Sequence, residues 1–179
     1  MVRSSALPLA LAVALVALDQ WTKGWVVATI PLGVREASLG LGFHLTHTRN
    51  PGVAFGFLRD LQLIVGPVLV DGTVVLGLLN LVVSGAIVFY LVMRGSKLGT
   101  LTRVALALVL AGALGNAVDR IQLGYVIDFI HFQVGAFDFP VFNVADACVV
   151  IGAGLLLLTS LRRDAPGERA ATERTAPER

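Results

Sequence analysis

The chain is poor in charge for its length. Charged residues make up 15% of its 179 residues, whereas a soluble domain carries about a quarter. Hydrophobic residues make up 56%, and the mean hydropathy is +0.81. A water-soluble core of this size cannot bury so much apolar surface. The composition therefore excludes an ordinary soluble domain and favours a membrane protein with several spans.

Cysteine, histidine and clustered basic residues are also scarce. The single cysteine, Cys148, excludes an internal disulfide and a multi-cysteine metal site, and we interpret it as a small buried apolar residue. His44 and His47 lie three apart on a predicted strand and should face opposite sides, so no shared metal is expected. The net charge of +2 comes with dispersed arginines, so no nucleic-acid partner is expected.

Four apolar runs are each close to the ~20 residues that cross ~30 Å of hydrocarbon. They cover residues 7–28, 73–93, 101–118 and 141–161. The first run follows Arg3 and resembles a signal peptide, but its apolar residues continue to Ile30, so we expect it to be retained. The predicted fold is an all-α membrane protein with four transmembrane helices, forming a single domain over residues 1–161.

Basic residues near the ends of the runs predict the orientation. Arg94, Lys97 and Arg103 lie between the second and third runs, and Arg162 and Arg163 follow the fourth. The positive-inside rule then places both termini in the cytoplasm. Residues 162–179 have mixed charge and few apolar side chains, which is typical of a disordered tail.

Two segments should then lie outside. In the first, about residues 31–60, the apolar residues alternate from Leu39 to Thr46, which predicts a half-buried strand. A turn signal, Asn50-Pro51-Gly52, follows. We expect a small external β-structure on the membrane surface after the first helix. The second segment, about residues 119–140, is rich in phenylalanine and contains Asp128.

Asp128 and Asp146 are the most informative residues of the chain. A carboxylate at membrane depth is costly and marks a functional site by default. Both are accompanied by asparagine and small residues in sequence, which predicts a polar site between helices. Two carboxyl groups held together share a proton and activate water, which is the chemistry of aspartic proteases.

Other polar residues admit two interpretations each. Asp19 and Lys23 are four apart on one helix face and can pair, either as a structural ion pair or to order the site. Asn50 is either an ordinary turn residue or a ligand for a substrate carbonyl. Asp119 and Arg120 are expected to form a structural ion-pair element.

Two asparagines lie near acidic residues. Asn116 is on the helix face of Asp119 and Arg120 and is expected to reach a catalytic carboxylate. Asn143 and Asp146, three apart, could form a helix cap with a dipole-complementing acid. The apolar residues from 141 onward argue against that account, because they predict a helix start before Asn143.

Five blocks of the sequence resemble, in order, the motifs of lipoprotein signal peptidase, or signal peptidase II, a family of bacterial membrane aspartic peptidases. The blocks are Asp19-Gln20-x-x-Lys23, Asn50-x-Gly52-x-Ala54-Phe55, Gly115-Asn116-x-x-Asp119-Arg120, Gly124-x-Val126-x-Asp128-Phe129 and Phe142-Asn143-x-Ala145-Asp146. The stretch around residues 59–72 is longer than is typical of the family, and Cys148 stands where a serine is common.

The resemblance implies that Asp128 and Asp146 are the catalytic residues. It implies that the remaining motif residues support them or contact substrate: Asp19, Lys23, Asn50, Gly52, Asn116, Asp119, Arg120, Asn143 and Ala145. It further implies cleavage of prolipoproteins just before a diacylglyceryl-modified cysteine, without a metal or other cofactor, and inhibition by the cyclic peptide globomycin. We expect a monomer in the bacterial inner membrane with its site near the outer face.

Two other classes remain possible from the residues alone. A small transporter would use the polar groups to line a path across the membrane. A structural membrane subunit would use them for assembly. The polar residues cluster toward one side of the predicted spans, which favours a surface-facing site over a path.

Overall fold

The computed structural model describes residues 2–52, 62–65 and 68–163. Its helices are α1 (Val2–Thr29), α2 (Gly72–Arg94), α3 (Thr100–Leu123) and α4 (Val144–Arg163), with a 3-10 turn at Gly95–Lys97 after α2. Its strands are β1 (Arg35–Gly40), β2 (Phe43–Asn50), β3 (Gln62–Val65), β4 (Val68–Asp71), β5 (Val126–Val134) and β6 (Phe137–Phe142).

All four helices contain a stretch that is long and apolar enough to cross a membrane. The predicted four-helix membrane fold with a small antiparallel sheet after the first helix is therefore confirmed. Two boundaries differ from the prediction. Helix α3 continues past residue 118 to Leu123, and α4 begins at Val144 rather than at residue 141. Residues 141 and 142 belong to β6. Both are apolar, so the sequence alone does not distinguish them from the first residues of a membrane helix.

The sheet contains strands from both segments that are predicted to be external, and the sequence did not indicate this pairing. Its order is β1-β2-β5-β6, and β2 pairs antiparallel with β5 from the second segment. That segment is a hairpin, β5 and β6, for which we had predicted no strands. The pairing of Thr48 with Asp128 and of Asn50 with Val126 brings the two segments together beside the helix ends.

The alternating apolar run from Leu39 was predicted as one strand, and this was wrong. It contains the turn between β1 and β2, where Gly40, Leu41 and Gly42 all have positive φ. Glycine adopts that conformation at no steric cost. The glycines at 40 and 42 are therefore present because the turn requires them, and their alternation with leucine is not a strand pattern. Leu41 is 93% exposed at the tip. The β-hairpin itself agrees with the expected external β-structure.

Helix α3 is the central helix. Half of its apolar window is buried, against about a fifth for the windows of the other helices. Glycines make its close contacts possible: a Cβ at Gly112 would overlap the carbonyl oxygen of Ala145 in α4. A Cβ at Gly115 would lie 2.7 Å from a carboxylate oxygen of Asp19 in α1. Small residues thus bring three helix backbones together at one level, as in other membrane bundles.

Parts of two expectations lie outside the described residues. These are residues 53–60 of the external segment and residues 164–179 of the tail. The single domain over residues 1–161 and the disordered tail remain predictions.

Candidate active site

A buried ion cluster lies where α1 meets α3. The ammonium group of Lys23 is 2.8 Å from Asp19 Oδ2 and 3.0 Å from Asp119 Oδ2, and all three side chains are at most 2% exposed. The Lys23 ammonium also donates to Asn116 Oδ1 over 3.2 Å. The predicted Asp19–Lys23 pair is confirmed.

The two carboxylates of this cluster extend it to the rest of the fold. Asp19 Oδ1 accepts from the backbone N–H of Ala145 in α4 over 2.9 Å. Asp119 Oδ2 accepts from the N–H of Ile127 in β5 over 3.0 Å. One cation and its two partners therefore connect α1, α3, α4 and the sheet.

The predicted ion pair between Asp119 and Arg120 is wrong. Asp119 pairs with Lys23, and the guanidinium of Arg120 donates to the backbone oxygen of Asn116 over 3.3 Å. Successive residues of a helix point about 100° apart, so neighbours in sequence seldom face each other. Arg120 instead lies on the side of α3 that faces α2, where Gly77 approaches its Cβ.

Gln20 also belongs to this cluster, although we singled it out only as part of a motif. Its side-chain amide lies 2.8 Å from Asp119 Oδ1, 3.1 Å from the carbonyl oxygen of Gly115 and 3.2 Å from Asp19 Oδ2. These acceptors come from α1 and α3, so Gln20, like Lys23, stabilises the contact between these two helices. Its position beside Asp19 was the one signal in the sequence.

Asn143 and Asp146 form a reciprocal cap at the start of α4. The N–H of Asp146 donates to Asn143 Oδ1 over 2.8 Å, and the N–H of Asn143 donates to Asp146 Oδ2 over 3.2 Å. This is the geometry of a capping box. The cap that the sequence offered as an alternative is therefore present, and our argument against it from the apolar lead-in was wrong, because that lead-in is strand β6. Capping and site formation use the same two residues.

Asp128 is buried on β5, with a side-chain donor on each oxygen. Asn143 Nδ2 donates to Oδ1 over 2.7 Å and Asn50 Nδ2 donates to Oδ2 over 2.9 Å. Burial, helped by the negative charge of Asp146, raises the pKa of Asp128 to about 7, against the lowering effect of the two amides and of Lys23. At neutral pH this carboxyl is thus populated in both protonation states.

Asn50 is placed by the turn that ends β2. Its Oδ1 accepts from the N–H of Gly52 over 2.9 Å, so the side chain closes the turn while its amide reaches Asp128. Gly52 has a φ of 92°, and a Cβ there would meet the side chain of Leu76. Asn50 is therefore the turn residue, and its amide also donates to a site carboxyl. A contact of Asn50 with a substrate carbonyl remains a prediction.

Asn116 links the ion cluster to the second carboxyl. Its Nδ2 donates to Asp146 Oδ1 over 2.7 Å, and its Oδ1 accepts from Asn143 Nδ2 over 3.1 Å as well as from Lys23. The expectation that Asn116 reaches the second carboxyl agrees with this geometry. Asn50 in β2, Asn116 in α3 and Asn143 just before α4 thus orient Asp128 and Asp146.

The histidines and the cysteine lie away from these contacts. His47 is buried and its Nδ1 is 2.8 Å from the carbonyl oxygen of Ile30, while His44 lies beside the ring of His131. His44 and His47 thus have different surroundings, as predicted. Cys148 is 6% exposed, as a small buried residue. Within the described part of the chain, no three His, Cys, Asp or Glu residues are grouped to hold a metal.

A groove of about 330 Å³ between α2, α3 and α4 leads to the half-buried Asp146. The polar residues on its walls are Asn80, Asn116, Arg120 and Asp146. The remaining walls are apolar, and Val150 among them is 71% exposed on the outer surface of the bundle. The groove therefore connects Asp146 with the apolar outer surface of the bundle.

Four membrane helices that hold two linked carboxyl groups beside a lipid-facing groove are the framework of a membrane enzyme. Two solved structures described as bacterial membrane enzymes have a similar fold. One has a TM-score of 0.73 and 27% identity, and covers 90% of this chain and 92% of its own. The other has a TM-score of 0.71 and 28% identity, with 87% and 93% covered.

The family model for signal peptidase (SPase) II matches residues 11–162, so the chain belongs to the signal peptidase II family. Relatives named lipoprotein signal peptidase are 38% identical in Streptococcus thermophilus, over 87% of this chain and 92% of theirs, and 38% identical in Syntrophus aciditrophicus, over 82% and 86%. The protein is therefore a multi-pass membrane peptidase whose family removes signal peptides from lipoproteins.

Replacing Lys23 by methionine should destabilise the protein strongly. The change leaves Asp19 and Asp119 buried without their cation, and breaking a buried pair by removing one partner costs about 3–5 kcal/mol. Thermal unfolding in detergent measures the effect. The matched control is Lys97→Met, which removes an exposed cation and should change stability by less than about 1 kcal/mol. Equal effects of the two changes would contradict the structural role of the cluster.

The raised pKa of Asp128 should make stability fall as pH rises. Its pKa increases from 3.8 to about 7 on folding, so between these values the folded state binds more protons than the unfolded state. The stabilisation is complete below the lower value and is lost as pH rises through the higher one. Thermal unfolding at pH 5 and pH 8 should differ less in Asp128→Asn than in wild type. Asp71→Asn, which keeps the cap of α2, should retain the wild-type difference, and an unchanged difference in Asp128→Asn would refute the assignment.

Proposed function

We propose that the protein is an aspartic endopeptidase that cleaves prolipoproteins just before a diacylglyceryl-modified cysteine, with Asp128 and Asp146 as its catalytic dyad. The observation that supports this most directly is Asn143, which bonds to both carboxyl groups. Its side-chain amide donates to Asp128 and its backbone N–H donates to Asp146. Two acids held by one asparagine, one of them with a pKa of about 7, match the requirement for one ionised and one protonated carboxyl at neutral pH.

The reaction follows from that pairing. The ionised carboxylate takes a proton from a water molecule as the water oxygen attacks the scissile carbonyl carbon. The protonated carboxyl donates its proton to the carbonyl oxygen, and collapse of the tetrahedral intermediate transfers a proton to the departing amine. The amides of Asn50, Asn116 and Asn143 hold the carboxyl groups in place through the cycle.

The groove and the sheet provide places for the two parts of the substrate. The groove opens to the bilayer beside Asp146, so the acyl chains can stay in lipid while the peptide bond reaches the dyad. Strand β6 is an edge of the sheet and ends at Phe142, next to Asn143. An extended signal peptide can pair with such an edge through its backbone.

The remaining motif residues fall into two roles in this proposal. The first role is to hold the helices in register around the dyad: Asp19, Lys23, Asp119 and Ala145. The second is to shape the substrate path: Gly52 through the turn below Asn50, and Arg120 through the groove wall. All of these residues come from one chain, so a monomer suffices. Globomycin, as a cyclic peptide inhibitor of the family, should compete with substrate at this site.

We further propose that both termini lie in the cytoplasm and that the dyad lies near the outer face of the bacterial inner membrane. Arg94 and Lys97 lie at the end of the bundle away from the sheet, and the positive-inside rule assigns that end to the cytoplasm. The sheet, Asp128 and the start of α4 are then at the outer end.

Asp128→Asn and Asp146→Asn should each reduce cleavage of a diacylglyceryl-modified prolipoprotein by about 10²–10⁴, the contribution of general acid–base catalysis. The measurement is initial rate with purified protein in detergent. Asp71→Asn is the matched control, because Asp71 caps α2 through the N–H of Val74, away from both the dyad and β6, and asparagine keeps that cap. It should cleave at the wild-type rate. Turnover within about tenfold of wild type in either dyad variant, with intact folding, would refute the assignment.

Single cysteines should report the orientation. In a Cys148→Ala background, Leu41→Cys at the hairpin tip and Lys97→Cys after α2 are both exposed. A membrane-impermeant thiol reagent applied to intact spheroplasts should label position 41, and position 97 only after the membrane is opened. Labelling of both positions from outside would contradict the proposed topology.

A further inference from the structure

Asn80 is a polar residue at membrane depth that no motif explains. It lies within α2, whose apolar window has a mean hydropathy of 2.4, the highest of the four helices that could span the membrane. Among the residues that the structure describes, its side-chain amide has no hydrogen-bond partner; only its backbone oxygen is engaged, by Ser84. An amide in hydrocarbon without a partner is costly, so a partner from outside the chain is expected.

The groove shows where that partner would lie. Asn80 lines it opposite Asn116 and Asp146. Deeper in the bundle the walls become apolar: Val83 lies one turn below Asn80, and Val149 and Val150 follow Asp146 along α4. The groove therefore has a polar end at the level of the dyad and an apolar end toward the bilayer centre.

Arg120 supplies a second donor, on the opposite wall of the groove in α3. The Nε of Arg120 is buried and has no hydrogen-bond partner within the described ranges. A groove whose lining residues carry donors without protein acceptors suits a ligand that brings acceptors of its own. An ester carbonyl is such a group, because it accepts hydrogen bonds and cannot donate them.

We propose that Asn80 is a specificity-determining residue whose side-chain N–H donates to an ester carbonyl of the substrate's diacylglyceryl group. This inference rests on the proposed function, since it names the part of that substrate which the groove holds. The glyceryl esters lie between the peptide and the acyl chains. A peptide bond at Asp146 and acyl chains beside Val83 and Val150 would place the esters at the level of Asn80.

The test compares two substrates in two proteins. One prolipoprotein peptide carries a diacylglyceryl cysteine and the other the dialkyl ether analogue, which has the same chains but no ester carbonyls. A neutral hydrogen bond contributes about 0.5–1.5 kcal/mol, so Asn80→Leu should lower kcat/KM for the diacyl substrate about 2- to 12-fold. For the ether substrate, wild type and Asn80→Leu should agree within about twofold.

Two further variants separate recognition from packing. Val83→Ala alters the same groove without a polar group and should change kcat/KM for both substrates equally. Asn80→Gln keeps a donor and should restore part of the preference for the ester. Equal losses on both substrates in Asn80→Leu, or no loss on either, would overturn the role of Asn80. Failure of the wild-type protein to cleave either substrate would instead refute the proposed function.

Discussion

The structure depends on the burial of one positive charge, that of Lys23. A cation in the apolar bundle is tolerated only because Asp19, Asp119 and Asn116 all surround it. These partners can reach it only when α1 lies against α3 in a single register. Because Asp19 also accepts from Ala145 in α4, that register fixes the start of α4 as well. Ion pairs of this kind add little net stability, but they penalise every other arrangement of the helices.

The same network determines where the reactive groups lie. Asn116 accepts from Lys23 with its oxygen and donates to Asp146 with its nitrogen. The position of the Lys23 ammonium therefore fixes the orientation of the Asp146 carboxyl through a single side chain. Asn143 then joins Asp146 to Asp128 while capping α4. A helix start needs a capping side chain and a dyad needs an orienting amide, and here one residue meets both requirements. This arrangement leaves Asp146 half-buried at the groove and Asp128 buried behind it.

The helices contribute unequally to this site. The motif residues lie on α1, α3, α4 and two strands, whereas α2 forms a groove wall with Asn80 and Val83. Its close contact with the others is at Gly77, beside Arg120. The dyad thus has a rigid support on one side and, on the other, a wall whose side chains can be changed without disturbing the ion cluster. Substrate preference is most easily adjusted on that wall.

The sequence by itself determined the four-helix membrane fold, the presence of a small β-structure after the first helix and the identity of the candidate site residues, because hydropathy, turn residues and motif spacing are local properties. It also determined the Asp19–Lys23 contact, which is set by the pitch of one helix. Only the tertiary structure decided the rest. The pairing of β2 with β5, the partner of Asp119 and the double role of Asn143 all depend on which distant segments meet. An apolar strand such as β6 cannot be told from the start of a membrane helix by composition, so the capping role of Asn143 became visible only when the sheet placed that strand beside α4.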